Sequence, residues 1–317
     1  MITTLAQERK YVTVKRTVKL MGTDFGITVV AANEEIGFIN IDEATAEISR
    51  IEKMISSWDP LSETSMINRN AGIKPVKVSH ELFKLIERSI QISEMTDGAF
   101  DISFASSDQV WKFDGSMKYE PTPAEIEKSI AKVGYKNIVL NEEKRTVFLK
   151  VAGMKISFGG IGKGYAADKA KELLVSKRVV AGVINASGDL TTWGTKASGE
   201  KWLIGIANPM NKSKIFTWLP VLESSVATSQ SLDRYVEFKG KKYSHIIDPR
   251  TGYPATGINS VHVFAKSAEL CDALATAIFI MGKDQGLSLI NQLALTEVIV
   301  VDSENRMHRS NGILLED

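Results

Sequence analysis

Helical and β periodicities fall in blocks in this chain rather than in strict alternation, and no other feature of the sequence constrains its fold as much. Strand patterning dominates from Val179 to Val263, whereas the three-and-four spacing of an amphipathic helix lies before and after that block. Strict alternation would demand a parallel, doubly wound sheet; mixed blocks favour an α+β fold. No repeat, low-complexity tract or linker interrupts the 317 residues. Residues 1–317 are therefore expected to form one compact unit, long enough to bury roughly three quarters of its unfolded surface.

Within that frame, Val12 to Val30 reads as two extended segments broken at Met21-Gly22-Thr23. Ile41, Ala44, Ile48, Ile51 and Ile55 recur on one helical face, and the helix ends near Ser57. Ser79 is an N-cap for a helix to about Met95, with Gly98 able to close it. Thr122-Pro123-Ala124-Glu125 is a capping box with proline at the first helical position. Asn137 to Leu140 and Thr146 to Val151 read as a hairpin. Ile156 to Phe158 reads as a short strand feeding a glycine cluster, with a helix from Ala166 to Val175 after it. A further hairpin, Tyr235 to His245, turns at Lys239-Gly240-Lys241. Ser267 caps a final apolar helix through Met281, and extended segments lie around Glu297 to Val301 and Arg306 to Arg309.

Composition removes several classes of function. The 39 basic and 38 acidic side chains leave a net charge of +1, and the basic residues are dispersed, so no field is available to grip a nucleic acid. One cysteine, Cys271, rules out an internal disulfide, a zinc ribbon or an iron–sulfur cluster. Any metal must be held by oxygen or by the four histidines. Glu8, Arg9 and Lys10 leave no apolar run of the about 7–15 residues that a signal peptide needs. No stretch approaches the ~18 apolar residues of a membrane span.

Four segments carry residue types suited to chemistry. Gly159-Gly160-Ile161-Gly162-Lys163-Gly164 stands between a strand and a helix, where unpaired amides and the helix dipole attract phosphate. It is not a P-loop, because Ser157 and Gly164 replace the required glycine and hydroxyl residue; a tight strand-to-helix turn explains it equally well. His245 lies three positions before Asp248 in a Pro- and Gly-rich turn. That pair suits a general base or a group orienting phosphate, while the plainer alternative has Asp248 capping its own loop. Asp272 and Thr276 share one helical face and are hard oxygen donors suited to Mg²⁺, or else an N-terminal dipole partner and a back-bonded hydroxyl. Met21, Trp58 and the Ala99-Phe100-Asp101 bend place large apolar side chains among polar ones, as a flat ligand or an ordinary core requires.

Taken in order, these segments resemble the ApbE family of FAD:protein FMN transferases. The resemblance runs from Met21-Gly22-Thr23 through Ser62-Glu63, Asn68, Gly98 to Asp101, Gly159 to Asp168, Asn185 to Asp189 and His245 to Pro254, to Asp272 and Thr276. It implies an α+β fold with a T-fold-like core. It also implies a Mg²⁺-dependent reaction that cleaves FAD at its pyrophosphate, attaches FMN by a phosphoester to a threonine of a target flavoprotein subunit, and releases AMP. The metal would be held by Asp272, Thr276 and the main-chain carbonyl of Gly162. Flavin or adenine would meet Met21, Trp58, Ala99, Phe100 and Asp101, the diphosphate would face Gly159, Lys163, Tyr165 and Asp168, and His245 with Ile246 would lie against the nucleotide. His245 and Asp272 are the two groups able to accept the threonine proton, and a metal-bound carboxylate is the poorer base.

Two departures from the family pattern stand out: Ala186-Ser187 in place of a residue and a glycine before Gly188, and Gln230 in place of a glycine after Thr228-Ser229. The same site could instead hydrolyse FAD to FMN and AMP, or bind FAD without turnover. By resemblance the protein is expected in the periplasm, with a leader and a lipid anchor trimmed from this chain.

Overall fold

Met21 and Gly22 both take left-handed backbone conformations, φ 52° and 72°, as a two-residue turn between antiparallel strands requires. They join Val12–Leu20 (β1) to Thr23–Ala31 (β2). The computed structural model describes residues 11–208, 211–230, 235–238 and 240–313. After β2 come Glu34–Ile55 (α1), Glu63–Arg69 (α2), Val76–Lys77 (β3), His80–Met95 (α3), Pro123–Ser129 (α4), Ile138–Asn141 (β4) and Thr146–Leu149 (β5). Gly162–Ser176 (α5) leads into Ala181–Ala186 (β6), Asp189–Trp193 (β7), Trp202–Asn208 (β8), Asn211–Val221 (β9), Ser225–Gln230 (β10), Tyr235–Phe238 (β11) and Lys241–Ser244 (β12). The chain continues as Ile258–Ala265 (β13), Ala268–Met281 (α6), Lys283–Ile290 (α7), Glu297–Asp302 (β14) and Met307–Arg309 (β15).

Eight strands form one antiparallel sheet in the order β1-β2-β6-β7-β10-β13-β14-β15. Helices α1, α5 and α6 lie side by side on it: α1 on β1 and β2, α5 on β6 and β7, α6 on β10 and β13. The stripe Ile41, Ala44, Ile48 and Ile51 of α1 is completely buried between sheet and helices, each isoleucine contributing about 1.5–3 kcal/mol. A three-stranded sheet, β3-β5-β4, extends the same core with α3. The β8–β9 hairpin stands apart in pairing, and Trp202 and Ile204 pack against Ala181 and Leu190 of the main sheet. No described helix is long and apolar enough to cross a membrane.

The mixed α+β expectation is met, and most helix boundaries fall where caps placed them. Ser79, Thr122 and Ser267 each accept an amide at their helix starts, and Thr122 and Glu125 form the reciprocal capping box. Three expectations need correction. Residues 156–158 are not a strand: the Asn68 amide takes both backbone groups of Ile156, at 2.8 and 3.0 Å, and the Ser157 amide goes to the Ile102 carbonyl. Helix α5 begins at Gly162 rather than Ala166: the glycines that weaken a helix elsewhere admit close neighbours here, the Ile55 and Phe158 side chains at Gly162 and the Ala268 backbone at Gly164. Helix α6 is not the last, since Gly282 (φ 83°) ends it and starts α7. Lys239, within the expected turn between β11 and β12, lies outside the described residues, as do residues 1–10.

Candidate active site

Four chain segments border a cleft of about 1580 Å³. The first runs from Ser57 through α2, whose Ser65, Asn68 and Arg69 face the cleft. The second follows α3. Consecutive left-handed residues, Asp97 at φ 48° and Gly98 at φ 74°, end that helix with the Gly98 amide on the Ser93 carbonyl, and so throw Ala99, Phe100 and Asp101 into the wall. The third is the approach to α5, where Gly159 and Gly160 line the cleft. The fourth is the turn after β12, carrying His245, Ile247, Pro249 and Gly252. Trp111 ties the second segment to the fourth, donating its indole N–H to the Gly252 carbonyl at 3.0 Å and stacking on Tyr243.

Thr276 and Ile280 of α6 complete the wall. A Cβ built on Gly160 would lie 3.5 Å from the Thr276 hydroxyl and 3.6 Å from the Phe100 ring. Residues 100, 160 and 276 therefore meet at one point. Asp272, one turn N-terminal of Thr276 on the same helix face, is 5% exposed and sits deeper. Its Oδ2 accepts the Gly164 amide at 3.2 Å from the first turn of α5. This contact needs glycine, because a Cβ at position 164 would stand 2.1 Å from the Ala268 carbonyl oxygen.

Lys163 lies between two buried carboxylates. Its ammonium pairs with Asp189, itself 3% exposed, and stands 3.9 Å from Asp272 Oδ1. Burial alone would make Lys163 easier to deprotonate, but Asp272 and Asp189 outweigh it and hold the ammonium above its ordinary value. Burial, and for Asp272 the neighbouring Asp189 charge, push both carboxyls upward. One ammonium thus faces two carboxyl groups in a poorly solvated place, where ionisation of both would leave a net negative charge.

That charge balance suits a divalent cation. The side-chain donors at hand, Asp272 and Thr276, are hard oxygens, as Mg²⁺ prefers. Among the described residues no group of three or more His, Cys, Asp or Glu side chains forms a closed metal cage. A cation here would complete its shell with water and substrate oxygens, the usual arrangement for Mg²⁺ beside phosphates.

Of the residues expected at the site, Trp58, Ala99, Phe100, Asp101, Gly159, His245 and Thr276 line the cleft. Met21 and Gly162 lie together, the Met21 methyl 3.5 Å from where a Gly162 Cβ would be. Asp272 and Lys163 form the buried cluster. Three others point elsewhere. Tyr165 is 1% exposed, and its hydroxyl donates to Glu81 at 2.8 Å while Arg88 covers its ring. Asp168 accepts from the Ser267 hydroxyl and the Ala268 and Glu269 amides, at 2.8, 3.0 and 2.9 Å, and so caps α6. Ile246 packs into the core beneath α6, with its amide on Ser244 and its carbonyl accepting from Ala255.

Even within the cleft some groups have structural partners. The Asp101 carboxylate accepts the amides of Ser103 and Tyr135, and burial raises its pKa. Asp248 does not pair with His245; it binds Arg250 through two oxygens and accepts the Arg250 amide, the self-capping alternative. Ser187, where the family pattern has glycine, adopts φ 52° and turns its hydroxyl to Thr23 and the Asp24 carbonyl. It is therefore tied to the β1–β2 hairpin. Gln230 lies at the end of β10, opposite Ser260.

Sequence reasoning gave no role to Asp189 or to the wall from Phe104 to Asp114. Asp189 carried a signal, a carboxylate opening a strand straight after a Ser-Gly turn. The 104–114 wall carried only its aromatic density, since beyond the short 3₁₀ turn that ends at Ser106 it forms neither helix nor strand.

An open cleft with an aromatic wall, one helical turn from a buried carboxylate–lysine cluster, in an α+β protein has the shape and chemistry of a site for a flat, phosphate-bearing ligand. The model of the ApbE family matches residues 21–300, and the chain belongs to that family. An FAD:protein FMN transferase of Klebsiella pneumoniae (strain 342) is 31% identical over 274 residues, spanning 84% of this chain and 84% of its own. One from Treponema pallidum (strain Nichols) is 28% identical over 289 residues, 86% and 80% of the two chains. The crystal structure of the ApbE protein from Thermotoga maritima matches the fold with a TM-score of 0.85 at 30% identity, covering 95% of this chain and 97% of that one.

Proposed function

We propose that this protein is an FAD:protein FMN transferase that requires Mg²⁺ and acts on a threonine of a target flavoprotein. The observation that carries the reading is the meeting of Phe100, Gly160 and Thr276 in the cleft wall, one helical turn from buried Asp272. It sets an aromatic surface, a glycine approach to a helix N-terminus and hard oxygen donors side by side, as a flavin joined to a pyrophosphate demands.

In this reading the threonine Oγ attacks the FMN phosphorus, the bond to the bridging oxygen breaks, and AMP leaves with the electron pair. Asp272 and Thr276 would hold Mg²⁺, with the Gly162 carbonyl as a further donor. When bound, the metal supplies charge stabilisation to the phosphoryl oxygens. The chain's own groups do the rest. Trp58 and Phe100 bind the flat ring, and Gly159 and Gly160 let the diphosphate approach the start of α5. Lys163 neutralises Asp189 and part of Asp272. His245, which lines the cleft beside Phe113, would accept the threonine proton.

Purified protein incubated with FAD, Mg²⁺ and a flavin-free threonine-bearing acceptor domain tests this by intact mass. We expect an FMN-sized gain on the acceptor together with AMP. Free FMN and AMP without labelled acceptor would make the protein a pyrophosphatase, and unchanged FAD would remove both readings. His245→Ala is expected to slow transfer by about tenfold or more; an unchanged rate would remove His245 from the proton path.

A further inference from the structure

Among the described residues the two most exposed large apolar side chains, Trp58 at 90% and Leu61 at 88%, stand three residues apart on the loop between α1 and α2. That loop is tightly built. The Ser56 hydroxyl accepts the amides of Trp58 and Asp59 at 3.2 and 3.0 Å, Asp59 Oδ1 accepts the Leu61 amide at 2.9 Å, and Arg69 donates to the Pro60 carbonyl at 2.6 Å. Met66, 42% exposed, stands on the first turns of α2, at the position where a helix commonly packs against the residue before its cap, here Leu61. A rigid loop that holds apolar side chains in water has already met the ordering cost of an interface.

Position identifies the occupant. Trp58 and Pro60 line the cleft, as do Ser65, Asn68 and Arg69 on the inner face of α2, whereas Leu61 and Met66 do not. A flavin inside the cleft covers Trp58 and leaves Leu61 and Met66 bare. A protein that brings a hydroxyl to the same cleft can rest on this edge, where Trp58 both lines the cleft and is 90% exposed. Resting on the transferase reading, we infer that Leu61 and Met66, continuous with the Trp58 edge of the cleft, form the ledge on which the acceptor flavoprotein docks. The ledge takes an apolar stretch of that protein flanking its threonine. Trp58, Pro60, Leu61 and Met66 are uncharged, and the neighbouring charges of Asp59 and Arg69 are engaged with the loop backbone, so the contact is apolar rather than ionic.

The test is steady-state FMN transfer to a flavin-free acceptor domain whose flavin is carried on threonine, comparing wild type with Leu61→Asp, Leu61→Ser and Leu295→Asp. Leu295 is 72% exposed and lies outside the cleft. Leu61→Asp is expected to raise the acceptor KM by about tenfold or more. The KM for FAD and the rate at saturating acceptor stay within about twofold, Leu61→Ser falls between, and Leu295→Asp matches wild type. An acceptor KM unchanged in both Leu61 variants, with wild type fully active, overturns the ledge alone. Wild type that splits FAD but never labels the acceptor overturns the transferase reading and the ledge together. If sedimentation shows a wild-type dimer that Leu61→Asp dissociates while the acceptor KM holds, the ledge covers a second copy of this chain and the inference falls.

Discussion

Helices α5 and α6 pack against each other and start in opposite ways. The N-terminus of α6 is closed: Ser267 accepts the Leu270 amide, and Asp168, reaching across from α5, accepts the Ala268 and Glu269 amides and the Ser267 hydroxyl. The N-terminus of α5 has no capping side chain on Ile161, and the two glycines ahead of it line the cleft. A capped end has its partial charge answered within the protein, whereas an uncapped end beside a cleft keeps it for a ligand. The lesson is a division of labour. In the proposed reaction α5 would present backbone to substrate, and α6, capped at its start, would present the Asp272 and Thr276 side chains.

The largest effect is expected where the two helices meet. Asp272→Ala removes a ligand charge and should lower FMN transfer by at least about a hundredfold, while the unfolding midpoint changes little because a buried like-charge contact with Asp189 is also removed. Normal turnover, measured by acceptor labelling, would refute the metal assignment and dissolve the contrast between the helices.

The sheet under both helices should show a pH signature. His262 is 1% exposed, bonded to Thr228 and Ser260, and burial lowers its pKa from 6.5 to about 4. Below pH 6.5 the unfolded chain takes up a proton that the folded chain refuses. Stability from this group is therefore complete above 6.5, falls as pH drops towards 4, and levels off below that. The change amounts to about 3 kcal/mol. Denaturant melts across that window should lose this slope in His262→Gln; a slope unchanged in the variant would assign it to other groups.

Opening the closed helix comes next. Asp168→Ala strands two buried amides and should cost about 2 kcal/mol by chemical unfolding, with the Asp168→Asn variant recovering part of it. If instead Asp168→Ala is as stable as wild type yet binds FAD more weakly, then Asp168 contacts nucleotide and the α6 cap is secondary. The smallest effect is at the open end. Gly160→Ala meets only ordinary contacts at 3.5 and 3.6 Å and needs no unusual backbone angle. It should fold normally and raise the FAD KM by about threefold to tenfold. No change would mean that ligand does not approach α5 there.

How much of this was legible in the sequence depended on whether a signal was local. Ser79, Thr122 and Ser267 declared their helices because a cap acts on amides two or three residues away. Met21-Gly22 declared the first hairpin in the same way. The non-strand at Ile156 was illegible because its backbone is satisfied by the side chain of Asn68, 88 residues earlier. The site divided along the same line. Asp272 and Thr276 share a face by helical spacing alone, but nothing local distinguishes Tyr165 and Asp168, held in the core, from Lys163 in the same motif. Asp248 illustrates the converse, since its own loop takes both of its oxygens.

The sequence by itself determined an α+β chain with antiparallel pairing, the hard-oxygen chemistry of a protein with one cysteine, and the order of segments that places it in the ApbE family. Those properties follow from short-range periodicity, capping and composition. Only the tertiary structure decided that Phe100, Gly160 and Thr276 converge, that Asp189 joins Lys163 and Asp272 in one buried cluster, and that Trp58 lines the cleft while Leu61 stays exposed beside it. Each of these depends on which side of a helix or loop meets a partner far away in the chain, and packing of the helix layer on the sheet settles that choice.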